Sequence, residues 1–378
     1  MKRIISLALL FTLLLATVCS FSGCGGGRHG LVLVTDTGSV TDKGFNQSAW
    51  DAMTEFATEK DLDCRYFIPP SKKEDDLRSQ LRAAAKDGAD VIVVCGKIFE
   101  TAVYDVQSEY PSSKFILIDG RPHPKDADAA VIPVNTTSVM FAAEQSGFLA
   151  GYAAVFDGVT SLGFIGGAPD EDTRAYGYGF LQGAEYAAKQ TGSSVNAVYQ
   201  YTGENEKNDK NKQAAEKMYS DGADVIFVCG AGVTESVIEA AEEKRSLVIC
   251  ADKDRRYDSG AVLTSAVKGV SAAVRLVLRS VYDTKDFEYS FGGKSTYFDA
   301  ANGGSGLASF VINDKNGNAF DRFNRFSLSD YEAVFDKLSS NVVTVKRTVT
   351  VSDPSGFAKE EELKLGLDLE FVAVSVPQ

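Results

Sequence analysis

The sequence predicts an α/β chain built as two similar lobes, each a parallel sheet with helices on its faces. Three observations predict it. Short apolar runs of strand length alternate with amphipathic stretches at helical spacing, which is the pattern of βαβ units. One nine-residue segment occurs twice almost unchanged, as Gly88-Ala-Asp-Val-Ile-Val-Val-Cys-Gly96 and as Gly222-Ala-Asp-Val-Ile-Phe-Val-Cys-Gly230. The 378 residues, 44% apolar and 24% charged, suit about two domains of roughly 100–200 residues each.

The N-terminal stretch reads as an address. Lys2 and Arg3 precede an apolar run from Ile4 to Val18. That run is shorter than the roughly 20 residues of a membrane span and has the shape of a secretory signal. Phe21-Ser22-Gly23-Cys24, followed by three glycines, resembles a bacterial lipobox. Residues 1–23 are therefore expected to be a lipoprotein signal peptide, Cys24 the lipidated residue and 24–30 a linker from the anchor. Cys19, after Ala16-Thr17-Val18, is a poorer candidate, and a plain cleaved signal is the alternative. Lipidation would anchor the protein to a membrane without spanning it.

From there the elements come in order. Leu31–Val34 is an apolar strand that runs into Thr35-Asp36-Thr37-Gly38, and Ala49, Trp50, Met53 and Phe56 follow at helical spacing. Leu81–Lys86 ends a helix closed by Gly88; Asp90–Val94 and Lys114–Ile118 are buried strands. The second half repeats this layout. Each copy of the nine-residue segment leads through a helix to a strand ending in an acid, Asp119 in one and Asp252 in the other. Leu31–Phe56 resembles Ser161–Tyr186 in layout, each with an aromatic near its helix start, Phe45 and Tyr176. The chain is expected to cross between lobes near 135–138, near 264–265 and between Phe298 and Ser305. One lobe is then 31–135 plus about 265–300, and the other 136–264 plus about 301–352. Tyr331–Leu338 reads as a final helix and Asn341–Val351 alternates like a strand. Residues 353–378 are a C-terminal extension in which further strands are expected and no function is legible.

Composition removes several functions. Lys+Arg is 39 against 52 Asp+Glu, a net charge of −13, so sequence-independent nucleic-acid binding is disfavoured. Only two histidines occur, His29 and His123, which nearly excludes a histidine triad or a multi-histidine metal centre. The six cysteines show no CxxC spacing, so no zinc knuckle or dithiol motif is expected. Cys64, Cys95, Cys229 and Cys250 lie in or beside strand-like runs and read as buried thiols, with a disulfide left open. No Walker sequence is present. Neither a metal nor a cofactor is expected.

In open parallel sheets ligands sit beyond the carboxyl ends of the strands. Asp36, Asp119 and Asp252 all stand there, and two facing lobes would gather them around one cleft. Helix N-capping is the competing role for such residues. A carboxylate accepts two hydrogen bonds and matches vicinal hydroxyls on a sugar. Phe45 and Tyr176 could stack on a flat ring, with core packing as their alternative. Asn46 carries a donor and an acceptor suited to a purine edge. Lys268, after the apparent strand Ala261–Thr264, could bond hydroxyls while balancing the acids. The set describes a neutral ligand with a sugar and a base.

The run Thr35-Asp36-Thr37-Gly38 with Thr41-Asp42-Lys43-Gly44-Phe45-Asn46-Gln47-Ser48-Ala49 resembles the N-terminal signature of the basic membrane protein family, lipoproteins of the purine-nucleoside-receptor type. Glu144–Tyr152, Gly163–Gly167, Gly179–Gly183, Ala251–Asp254 and Thr264–Lys268 resemble later family segments in the same order, so the likeness runs from about Leu31 to Leu307. The resemblance implies a type I periplasmic-binding fold, with Rossmann-like lobes joined by a multi-strand hinge. It implies no enzymatic activity. A purine nucleoside of the inosine, guanosine or adenosine class would be held between the lobes for an ABC permease and its ATPase, by a monomer anchored on the periplasmic or extracellular face of a cell membrane. Carried over by position, Asp36 and Asn46 would bond the purine and Phe45 would stack on it. Tyr176 would supply the second ring, where the family usually has Phe. Asp119, Asp252 and Lys268 would hold the ribose, while Gly230 and Gly232 would let backbone approach the ligand. A sugar or signalling ligand in the same fold, or a surface-interaction lipoprotein, are the alternatives. A nucleoside hydrolase is disfavoured because Asp36 and Asp42 lack the close acid spacing of its calcium site.

Overall fold

The computed structural model describes residues 30–309 and 318–377. The signal, Cys19 and Cys24 lie outside the described residues. In chain order the elements are β1 (Leu31–Val34), α1 (Phe45–Lys60), β2 (Cys64–Phe67), α2 (Glu74–Lys86), β3 (Val91–Cys95), α3 (Glu100–Gln107), β4 (Lys114–Ile118) and β5 (Thr136–Phe141). Then come α4 (Ala143–Phe156), β6 (Ser161–Gly166), α5 (Glu171–Thr191), β7 (Val195–Tyr201), α6 (Asp209–Ser220), β8 (Val225–Cys229), α7 (Ala231–Lys244), β9 (Leu247–Asp252) and β10 (Val262–Lys268). The chain closes with α8 (Val270–Tyr282), β11 (Lys294–Phe298), β12 (Ser305–Leu307), α9 (Leu328–Ser339), α10 (Glu360–Gly366) and β13 (Val372–Ser375).

Two sheets form, in the orders β11-β5-β4-β3-β1-β2 and β12-β10-β9-β8-β6-β7-β13. The first is parallel throughout; in the second only β12 runs antiparallel. Parallel strands are buried on both faces, which is why they read as unbroken apolar runs. In the first lobe Leu31, Leu33, Val91 and Val93 face one core layer, whereas Val32, Val34, Ile92 and Val94 face the other. The repeated nine-residue segment has a backbone reason. Gly88 and Gly96 bracket β3 at φ of 88° and 103°, and Gly222 and Gly230 bracket β8 at 108° and 139°. Only glycine adopts such angles cheaply.

Three segments cross between lobes, and the structure shifts two of the expected positions. β5 pairs with β4 and β11, so the first crossing follows Phe141 instead of falling near 135–138. β10 continues along β9 to Lys268, past the expected 264–265, because its ladder does not stop at Thr264. The third passes between Phe298 and Ser305. The crossings bind one another: Ala142 N–H donates to Phe298 O at 2.8 Å, Ser305 Oγ to Ala142 O at 2.9 Å, and Gly269 N–H to Gly304 O at 2.9 Å.

The C-terminal part also departs from expectation. α9 is not the last helix, and 353–378 contributes one helix and one strand, not several strands. β13 adds to the outer side of β7 and its first N–H groups are held by Glu185. Residues 341–351 alternate in burial as a strand would, yet no ladder forms; the Gln182 side chain bonds both backbone groups of Lys346 instead. In the second lobe α4 and α5 touch backbone to backbone. A Cβ on Gly151 would lie 2.0 Å from Phe180 O, and one on Gly183 would lie 1.9 Å from Phe148 O.

Candidate functional site

The three strand-end acids lie at the carboxyl edges of β1, β4 and β9. Asp119 and Asp252, at matching points of the two halves, share a left-handed backbone with φ of 59° and 71°. That region is sparse for residues other than glycine, Asn and Asp, and such residues collect at functional sites. None of the three caps a helix. The helix after Asp36 starts on Gly44, and Asp119 and Asp252 lead into loops. Capping therefore does not account for them.

Lys268, at the end of β10, draws both lobes together. Its Nζ lies 2.8 and 3.0 Å from the two oxygens of Asp119, 3.0 Å from Asp172 Oδ2 and 3.2 Å from Asp252 Oδ1. The lysine side chain is 3% exposed, so its charge persists only because the acids surround it. Burial works against the ammonium, but Asp119, Asp252 and Asp172 more than reverse this and raise its pKa well above the usual value. Three carboxylates cannot all be satisfied by one ammonium. Burial, opposed by Lys268 but reinforced by Asp172 and Asp252, pushes Asp119 up to about 6. Burial also opposes the charge on Asp172, yet Lys268, Lys97 and Arg347 hold that group down at about 2.

A second cluster stands at the start of α1. Asp36 Oδ1 accepts from Gly38 N–H and from Asn46 Nδ2, both at 2.9 Å, and Lys72 Nζ lies 3.0 Å from Oδ2. Burial is outweighed by these donors, so Asp36 sits at about 2. Asn46 Nδ2 also reaches Asp42 Oδ2 at 3.0 Å. Two carboxylate acceptors fix the amide orientation and leave Asn46 Oδ1 buried with no partner among the described residues. Phe45, next along, is half-buried, with Lys268 Nζ 6.0 Å from its ring centre. A cavity of about 480 Å³ opens beside it, lined by Phe45, Ser48, Asp252, Lys268, Ser271 and Tyr331 among others. That volume is in the range of small-molecule sites.

Tyr176 is fully buried on α5, 5.9 Å edge-on from Phe227, with Lys268 Nζ 5.8 Å from its ring centre and its hydroxyl buried without a partner among the described residues. Gly230 and Gly232 let the chain pack closely against Asn205, Glu206 and Lys207. A Cβ on Gly230 would lie 3.0 Å from Asn205 Oδ1, and one on Gly232 would lie 2.3 Å from Lys207 N. Reading the sequence missed Asp172, along with Arg121 and Arg347. Asp170-Glu171-Asp172 opens α5, where acids are ordinarily explained by the helix dipole and cap, and Asp170 does accept from Thr173 N–H at 2.9 Å. Their cations come from distant segments. Lys97 lies 2.9 Å from Asp170 and Arg121 lies 3.0 Å from Glu171, both pairs spanning the cleft. Among the described residues no group of acids, cysteines and histidines could hold a metal ion, and no helix is long and apolar enough to cross a membrane.

With this geometry in hand, residues 30–343 match the family model described as ABC transporter substrate-binding protein PnrA-like. The chain belongs to the basic membrane protein family. Members are substrate-binding proteins and not enzymes, so this chain is a solute-binding protein of an ABC transporter. Among its relatives, the ABC transporter nucleoside-binding protein BmpA of Lactococcus lactis is 29% identical over 338 residues, covering 81% of this chain and 91% of that one. Basic membrane protein A of Borreliella burgdorferi is 28% identical over 363 residues, 95% of this chain and 98% of that one. Among solved structures, a solute-binding protein of an ABC transporter system from Aeropyrum pernix superposes with a TM-score of 0.64 at 21% identity, covering 90% of this chain and 99% of that one. The arabinose-binding protein AraP from Geobacillus stearothermophilus gives 0.57 at 14% identity, over 74% and 96%. At such identities the structural likeness establishes the fold, which is that of type I periplasmic binding proteins.

Proposed function

We propose that this basic membrane protein captures a purine nucleoside between its lobes and delivers it to an ABC permease driven by its ATPase, while held at a membrane by lipid on Cys24. The observation that carries the reading is Lys268, ringed by Asp119, Asp172 and Asp252 from both lobes beside the ring of Phe45. Acids and an ammonium suit ribose hydroxyls, and the aromatic face suits a base. The name of the Lactococcus lactis relative supports the ligand class. Asp36 and the unpartnered Asn46 Oδ1 present acceptors, which favour a base edge carrying ring N–H, so guanosine and inosine should bind more tightly than adenosine. The three crossings would act as the hinge, and a ligand touching both lobes would favour closure.

Calorimetric titration with inosine, guanosine, adenosine and ribose tests this. Saturable binding of a nucleoside with no response to ribose is expected; binding of ribose alone would overturn it. For the anchor, Cys24→Ser should abolish incorporation of labelled fatty acid and release the protein from the membrane fraction. Continued labelling would move the anchor elsewhere.

A further inference from the structure

Arg347 lies just beyond the family match, in the segment 341–351 that alternates without a ladder. Val343, Val345, Val349 and Val351 take the inward positions of that alternation and pack on the second-lobe core. Arg347 shares their phase, so the chain directs a guanidinium inward where four valines go. It arrives at the seam between lobes. Toward the first lobe, Nη1 donates to Phe141 O at 3.2 Å and the guanidinium lies 4.7 Å from the ring centre of Tyr297. Toward the second, Nη1 donates to Glu144 at 2.6 Å, and Nη2 donates to Glu171 at 3.1 Å and to Asp172 Oδ1 at 3.0 Å. Asp172 turns its other oxygen to Lys268. An unbroken line of charge-assisted bonds thus joins the C-terminal segment to Asp119 and Asp252.

We infer that Arg347 is a positioning residue for the inter-lobe site: it fixes Asp172, and through it Lys268, while tying the first lobe to the second. The inference rests on the nucleoside reading for its ligand, but not for its geometry. Arg is suited to the task because its planar fork serves several acceptors at once, which an ammonium cannot. The segment therefore tightens the site from behind, without touching the ligand.

The test uses the full chain as wild type, Arg347→Gln, Arg347→Lys, Asp172→Asn and the double variant Arg347→Gln/Asp172→Asn. Guanosine, inosine and adenosine affinities are measured by calorimetry and the lobe separation by small-angle X-ray scattering without ligand. Arg347→Gln should weaken binding by about 10-fold, chiefly through faster dissociation. Arg347→Lys should recover only part of that. The double variant should lose less than the sum of the two single losses, because both variants remove the Arg347–Asp172 bond. Wild-type affinity in Arg347→Gln, or additive losses in the double variant, would overturn the inference. Should wild type bind none of the three nucleosides, the ligand reading falls and scattering decides the rest. A larger radius of gyration in Arg347→Gln supports the tie between lobes, and an unchanged one rejects it. Should Arg347→Gln fail to fold, Arg347→Lys carries the same comparison.

Discussion

Asp119 and Asp252 occupy the same station in the two halves, at the end of equivalent strands and in the same left-handed backbone, yet their surroundings differ. The Asp119 side chain is 12% exposed and grips Lys268 with both oxygens, whereas the Asp252 side chain is 42% exposed and approaches Lys268 at 3.2 Å through one oxygen. The divergence extends to the first strands. β1 is followed by Asp36. β6 runs into Gly167, where a Cβ would meet Asn205 Oδ1 at 1.9 Å. At the next helix the first lobe presents Phe45 and Asn46, while the second presents Asp170, Glu171 and Asp172. The duplicated backbone preserves where a side chain stands; the chemistry of each lobe is then free to specialise. Here the first lobe carries the aromatic and amide groups, and the second carries a row of acids answered by cations from elsewhere.

Removing the cation shared by both lobes breaks the comparison most severely. Lys268→Met leaves three carboxylates around an empty place, and a loss of about 3–5 kcal/mol is expected in urea denaturation at pH 7. The loss should shrink on acidification as the carboxylates protonate. Exchanging the two equivalent acids sharpens the contrast. Asp119 titrates at about 6 in the folded chain against 3.8 when free. Its folded pKa is raised, so its contribution is fully present below about pH 4 and is lost as pH rises through 6. Relative to wild type, Asp119→Asn should therefore become steadily more favourable as pH rises from 4 to 7 in thermal or urea melts, as the wild-type carboxyl ionises. Asp252→Asn, half-exposed, should change stability at pH 7 by under about 1 kcal/mol. Equal responses from the two acids would erase the distinction drawn between the lobes. The smallest effect belongs to the bridge across the cleft. Lys97→Gln removes the partner of Asp170 and should cost less than about 1 kcal/mol, with most of it gone in 1 M salt.

Sequence reasoning found the duplicated architecture because its evidence is local: the glycines flanking β3 and β8 and the apolar runs between them answer to backbone torsions and burial. Asp36, Asp119, Asp252 and Lys268 stand at or just beyond strand ends, as expected, since strand ends are legible positions. The crossings were displaced because β5 and β10 carry polar residues, Thr136, Thr137, Ser138, Thr264 and Ser265, that look like turns yet are buried in the ladders. At Tyr176 the sequence shows only an aromatic near a helix start; its burial against Phe227 and beside Lys268 is set by segments far along the chain. Asp172 and Arg347 were missed because an ion pair 175 positions apart leaves no local trace. The alternation of Val343, Val345, Val349 and Val351 is legible in the sequence, and so is Arg347 in their phase, but its acceptors are not.

The three passages between lobes also govern the order in which this chain can be built. β5 receives its outer neighbour β11 only after more than 150 further residues have emerged, whereas β10 receives β12 soon after β11 is made. The second sheet is sealed later still, when β13 covers the edge of β7. An uncovered edge invites pairing with other chains. The first sheet therefore cannot finish until most of the second has been made, and the second finishes last; long-range pairing of this kind makes folding slow. β13 covers one edge of the second sheet, so removing it should harm yield and solubility before it harms recognition of any ligand.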